Sequence, residues 1–345
     1  MKRVGRLNQR HRPVSVALGV IAILASSLLS ACSSSDSKGS DGSSTTSAGS
    51  ATSGGSTSRK TIRLGFSPLS LDIPALQDTA NALKGAGGAA GISVTVADPK
   101  ENVQTQVSQI QQWIQLRRVD AIWVIPVAPP AIIPLIKQAQ QAKIPILVDT
   151  QPAKVNFTGP QAGVSFASID YQAYGKTLGD MLVECANKRL GGSAQVIYLT
   201  DPGAQTSTAE TDKAVAAAIG GLPNAKIVRT ISPGSQIIAQ HDTLSALQAV
   251  SHANSALGTN DEAVLGATSA FQQAGKDPKK SCIVGGGGGP QSLAAIKAGT
   301  IYAGAAFDFK TDTQNNITEI LTMVAAPAAT GKLMTVPVNI IRPAQ

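Results

Sequence analysis

Histidine is nearly absent: the 345 residues hold three, alongside three cysteines, two tryptophans and 3% aromatic residues overall. One of the three, His11, falls in a leader segment, which leaves His241 and His252 for any acid–base chemistry. These two lie about three helical turns apart on one expected helix, with no second pair of ligands, so they read as solvated rather than metal-binding. No HExxH, no GxSxG and no Cys–His pairing occurs. The usual hydrolase and metalloprotease chemistries are thereby excluded, and an enzyme is not expected. No apolar run is long enough for a stable membrane span, since the longest, Val14–Leu29, is short and rich in small residues.

That run follows Lys2, Arg3, Arg6, Arg10 and Arg12, and ends in Leu29-Ser30-Ala31-Cys32. A basic flank, a short apolar stretch and a small-small-Cys box together resemble a bacterial lipoprotein signal, with Cys32 as the lipidated residue. The resemblance implies a mature chain anchored by acyl groups on the extracytoplasmic face of the cell membrane. Residues 1–31 carry five basic residues and no acid, so the formal charge of +8 falls to +3 without them. The basic balance is then a targeting feature and not a nucleic-acid footprint. Residues 32–60 hold the lipidated Cys followed by a Ser/Thr/Gly/Ala tract that cannot bury enough apolar surface to order itself. Such a tether spans roughly 30 Å on average. Cys185 and Cys282 remain as an even pair in an oxidising compartment, where a disulfide and two buried thiols both stay open.

From Thr61 onward, β-like runs alternate with helical periodicity. Ile62–Phe66 and Val94–Val96 read as strands, and Val103, Val107, Ile110 and Ile114 form one helical stripe. Ala121–Val127 is a continuous apolar run suited to a parallel strand buried on both faces. Residues 150–164, with Pro152, Gly159, Pro160 and Gly163, read as a loop that interrupts the rhythm before it resumes. Trp113 and Trp123 read as core residues, and Asp98, Asp201 and Asp261, each just after a strand, as helix caps. Two runs of strict alternation argue an α/β class with two similar lobes.

Several stretches resemble the type I periplasmic binding proteins of the ribose and galactose group. Arg118–Val127 is similar to the family's GVDAIIVNPV strand, Ala142–Asp149 to AGIPVVTVD, and Thr259–Ala267 to ANDEMALGA. Asp170–Gly175 is similar to DNYEAG, and Ser292–Gly299 to EALEAIKAG. The resemblance covers nearly all of Thr61–Gln345. It implies two doubly wound parallel-sheet lobes joined by three hinge segments, with a ligand clamped at the strand ends. The lobes are expected at 61–164 plus 308–330 and at 165–307 plus 331–345, with crossings near Gly163, Asp308 and Gly331.

Against the family's sugar-binding pattern, only Asp149 and Asn260 match cleanly. The Asn-Pro-Phe-Phe loop is Leu71-Asp72-Ile73-Pro74, and the Asp-Arg pair is Asp149-Thr150, followed by Gln151. A family Arg becomes Thr211, the GFDG Asp becomes Gly287, and a sugar-facing Gln becomes Phe307. The expected ligand contacts are Asp72, Asp149, Thr150, Gln151, Gln205, Asn260, Gly287, Phe307 and Asp308. With fewer charged partners, the ligand is expected to be a sugar, polyol or sugar derivative, or a non-sugar. The glycine run Gly285–Gly289 between a strand and a helix offers two readings: backbone N–H groups facing an anion, or a loop giving backbone access to a neutral ligand. The resemblance implies a monomeric receptor that delivers its ligand to an ABC transporter permease, with no cofactor, no metal and no nucleic acid. A ligand sensor for a membrane receptor kinase is the alternative.

Overall fold

The computed structural model describes residues 61–200 and 209–343. Its first half runs β1 (Ile62–Ser67), α1 (Pro74–Ala90), β2 (Ile92–Val96), α2 (Val103–Gln115), β3 (Ala121–Val124), α3 (Ile133–Gln141), β4 (Ile146–Asp149) and β5 (Val164–Ser168). The second half runs α4 (Tyr171–Arg189), β6 (Ser193–Leu199), α5 (Ala209–Gly220), β7 (Asn224–Ile231), α6 (Gln236–Ala249), β8 (Ser255–Gly258), α7 (Asp261–Gln273), β9 (Cys282–Gly286), α8 (Pro290–Lys297) and β10 (Ala303–Phe307). The chain closes with α9 (Phe309–Ala325), β11 (Leu333–Thr335) and β12 (Val338–Ile341).

Side chains alternate across each strand, and here both faces are apolar. Ile122 and Val124 join Ile146, Val148, Val164 and Phe166 on one side of the first sheet. Ala121 and Trp123 join Leu147 and Ala167 on the other, with Ile317, Ile320 and Met323 of α9 packed over them. The second sheet repeats the arrangement: Val196, Tyr198 and Val284 face one core, Ile197, Leu199 and Ile283 the other.

The strand orders are β11-β5-β4-β3-β1-β2 and β12-β10-β9-β8-β6-β7. The first sheet is parallel throughout. In the second, β12 alone runs antiparallel, against β10. In each sheet the order reverses between neighbouring strands, at β1/β3 and at β6/β8, which opens a crevice at the carboxyl ends.

The sheet memberships correct the lobe boundaries expected from sequence. β5 lies in the first sheet beside β4, and β11 pairs with β5. The chain therefore passes between sheets after Ser168 and after Thr335, not near Gly163 and Gly331; the other passage follows Phe307. The five-residue run after Gly163 was hidden by its two serines, of which Ser165 is buried against Glu319 at 2.7 Å.

Two close approaches shape the second lobe. A side chain at Gly175 would collide with the Thr211 carbonyl, and one at Gly179 with Ala218, so α4 and α5 pack backbone to backbone. Cys185 of α4 is bonded to Cys282 of β9, tying helix to sheet across 97 residues of chain. Its removal in a Cys185→Ser/Cys282→Ser chain is expected to cost about 2–5 kcal/mol in denaturant unfolding. Alkylation of the unreduced folded chain is expected to label neither sulfur. Two labelled thiols on mass spectrometry would refute the bond.

Candidate functional site

The carboxyl end of β4 carries Asp149, and three neighbours give it an unusual setting. Trp123, at the end of β3, is buried and directs its indole N–H toward the Asp149 carboxyl without a hydrogen bond of normal geometry. Asp312, on the first turn of α9, is buried and receives a 3.0 Å hydrogen bond from Asn316 Nδ2. Tyr171, the first residue of α4, brings its hydroxyl within range of Asp149 from the second lobe. Burial, then the Asp312 charge, pushes the Asp149 carboxyl up to about 8, partly relieved by the Trp123 indole. Burial likewise raises Asp312 to about 6, with Asn316 opposing and Asp308 adding to the shift. Burial raises the Tyr171 hydroxyl, helped by Asp149 and Glu210. Asp149 keeps partial contact with solvent, so the packed protein leaves it open on the crevice side.

The opposite wall is built on β8, β9 and β10. Phe307 stacks on Tyr174 with centroids 4.6 Å apart, and Tyr174 donates to the Thr259 carbonyl at 2.9 Å. A side chain at Gly286 would strike both the Thr259 carbonyl and the Tyr174 hydroxyl, which is why glycine stands at this strand end. The Asn260 side chain caps α7 through the Ala263 N–H at 2.9 Å.

The glycine run departs from the anion reading. Gly287 N–H donates to the Ala305 carbonyl at 3.0 Å. Gly288 and Gly289 N–H donate to Asp261 Oδ1 at 3.3 and 3.2 Å. These amides are spent inside the chain, and a carboxylate already stands where an anion would sit. Asp261 is therefore an anchor for this loop and not the cap expected from sequence. Asp98 has a similar task in the first lobe, accepting from Leu71 and Lys100 N–H, while Asp201 lies outside the described residues.

The other expected contacts divide. Asp308 caps α9, accepting from Thr311 N–H and Thr311 Oγ1 at 2.9 and 2.8 Å, and it also holds Asn339 at 3.1 Å. These bonds lower its pKa and use most of its acceptor capacity, so it serves the passage between sheets before any ligand. Thr150 and Gln151 follow Asp149 at the crevice and are half-buried, and Asp72 stands exposed on the loop after β1. Gln205 and Cys32 lie outside the described residues. Among the described residues no cluster of metal-ligating side chains occurs.

Sequence reasoning missed Asp312, Tyr171 and Tyr174, and it placed Trp123 in the core without its polar edge. The signal for Asp312 was present: it follows Asp308 by one helical turn, which sets both on one face. Gln106 was missed for a different reason, since its neighbours form an apolar stripe. It is buried, donates to Ser67 Oγ, the Pro68 carbonyl and the Ile125 carbonyl, and accepts from Val127 N–H at 2.8 Å. One amide thus fixes the loops after β1 and β3, on both sides of the strand-order reversal.

Residues 64–332 match the family model described as a periplasmic binding protein domain. The chain belongs to this family. The Escherichia coli K12 galactofuranose-binding protein YtfQ is 25% identical over 236 residues, 65% of this chain and 70% of that protein. Among solved structures, an ABC transporter solute-binding protein from Actinobacillus succinogenes with bound D-allose superposes with a TM-score of 0.65 at 21% identity, covering 81% of this chain and 97% of that one. A Caulobacter myo-inositol binding protein gives 0.63 at 21% identity, covering 82% and 94%. The fold of these periplasmic binding proteins is that of residues 61–343, with two parallel-rich sheets and a crevice at the strand ends.

The acid pair gives a prediction for the ligand-free chain. Asp149 and Asp312 hold protons more tightly folded than unfolded, where a carboxyl titrates near ~3.9. Their contribution to stability is therefore complete below about pH 4 and is lost as pH rises through about 6 and about 8. The melting temperature is expected to fall from about pH 5 to about pH 8, and Asp149→Asn is expected to flatten that slope. An Asp149→Asn chain with an unchanged slope would show that Asp149 titrates normally.

Proposed function

We propose that the chain is an extracytoplasmic, membrane-tethered receptor that captures a sugar, polyol or sugar derivative between its two lobes and passes it to an ABC transporter permease. The observation that carries this reading is the pairing of groups at the strand ends: the Asp149–Asp312 carboxyls on the first lobe and the half-buried Phe307 ring, backed by Tyr174, on the second. Carboxylates accept hydroxyl hydrogens, and an aromatic face covers the CH side of a ring. Family membership supports solute binding, and the printed ligands of the relatives, galactofuranose, D-allose and myo-inositol, support the sugar and polyol class. The absence of catalytic motifs in the sequence supports a binding role without turnover. Binding in the crevice closes the lobes about the three passages between sheets.

A thermal-shift screen against sugars, polyols, nucleosides, amino acids and small anions tests the reading. A ligand at 100 times its dissociation constant stabilises by about 2.7 kcal/mol, and a neutral or amino-substituted sugar or polyol is the expected hit. Asp149→Ala is expected to weaken that ligand about tenfold or more, because its partner hydroxyl or amine loses a buried acceptor. Hits confined to nucleosides or amino acids would overturn the sugar reading.

The anchor rests on Cys32 and its flanks. In a bacterial host, Cys32→Ser is expected to release the chain from the membrane fraction and abolish labelling by a fatty-acid probe. Retention of both would refute lipidation at that residue.

A further inference from the structure

Among the described residues, no ion pair joins the proton-holding pair Asp149 and Asp312 to a cation. The lysine and arginine ion pairs run elsewhere: Arg63–Asp120, Lys176–Asp180, Lys188–Glu184, Lys332–Glu319 and Arg342–Glu184, and His241 stands beside Asp242. The groups that face the pair are themselves acidic or neutral. Asp308 adds negative potential at Asp312, Tyr171 faces Asp149 from α4, and Asn316 donates one N–H to Asp312. Lys310 acts on Asp308 alone and is exposed. Two further polar atoms there are buried and unsatisfied: the Trp123 indole nitrogen, directed at Asp149, and the Asn316 amide oxygen beside its bond to Asp312. The indole favours the ionised form of Asp149, yet no cation among the described residues is paired with either acid to supply the counter-charge that a buried carboxylate needs.

We propose that the ligand supplies it, and that the receptor is built for a sugar or polyol bearing a protonated amine seated on Asp149 and Asp312. The inference rests on the sugar-receptor reading and narrows it. A neutral hydroxyl brings one donor and no charge, so it leaves the remaining negative charge of the pair uncompensated. An ammonium brings three donors and a full positive charge, enough to engage both carboxyls and still reach a third acceptor. The half-buried Phe307 ring, backed by the buried Tyr174, then offers an aromatic surface to the rest of the ligand, in keeping with amine recognition by acidic and aromatic groups together. The empty pair holds a proton near neutrality, so ionising it around an ammonium releases that proton to solvent. A neutral ligand has no reason to release one.

Isothermal titration of the purified chain with D-glucosamine and D-galactosamine, beside D-glucose and D-galactose, decides this at a pH below the amines' own pKa. The measurement is made in two buffers of different ionisation enthalpy. At least one amine is expected to bind about tenfold or more tightly than its neutral parent, with net proton release. Asp312→Asn is expected to bring amine and parent to within about threefold of each other and to abolish the proton release. The wild-type preference and proton count decide the matter even if that variant fails to fold. A neutral sugar that binds as well as or better than its amine, with no proton released, would overturn the amine inference and leave the sugar receptor standing. Absence of binding by every compound of both kinds to a chain that melts cooperatively would overturn the amine inference, and the sugar reading with it if the wider screen finds no sugar or polyol.

Discussion

A parallel strand buried on both faces has room along its length for apolar side chains and the occasional small, hydrogen-bonded serine, and the central strands of both sheets are buried in that way. Ile146, Leu147 and Val148 are fully covered, and the first residue of β4 free to be polar is its last, Asp149. The same holds for β8, where Ser255–Gly258 is buried and Thr259-Asn260-Asp261 follows. Since the paired β strands of each core run in one direction, their polar endings collect at one edge. The position of the crevice is thus a consequence of core packing, and helix capping uses the same residues: Asn260 and Asp308 each begin a helix at the point where a strand has just ended. A polar residue at a strand end therefore has two possible employers, the helix behind it and the ligand before it.

This double employment explains how much of the site was legible in the sequence. The apolar runs announced the strands, and the helical stripe of Val103 to Ile114 announced α2, because burial dictates residue type directly. Asp149 and Asn260 were singled out because their flanking stretches resemble those of a known family. Asp308 was assigned to ligand, whereas its carboxylate holds Thr311 and Asn339. The glycine run was open to an anion, but its amides turn inward to Asp261 and Ala305. In both cases a partner distant in sequence engages the group: Asn339 lies 31 residues from Asp308, and Asp261 lies 27 from Gly288. Periodicity carries no information about such partners. β5 and β11 escaped for a related reason, since Ser165 sits in the strand to serve Glu319 and Lys332 rather than to mark a turn.

The passages between the sheets are laced together by the backbone. Val336 N–H donates to the Ser168 carbonyl, joining the first and third passages, and Asp308 N–H donates to the Pro337 carbonyl, joining the second and third. The Asp308 carboxylate adds Asn339 to that lacing. One turn further along α9 stands Asp312, so the helix that carries half of the acid pair starts inside the laced segment. Charge at Asp312 and geometry at the passages are in this way coupled by a single helical turn. On the amine reading proposed above, a cation on Asp149 and Asp312 would sit one helical turn from the laced passages, so the residues that select the ligand by charge would also stand beside the segment that joins the two sheets.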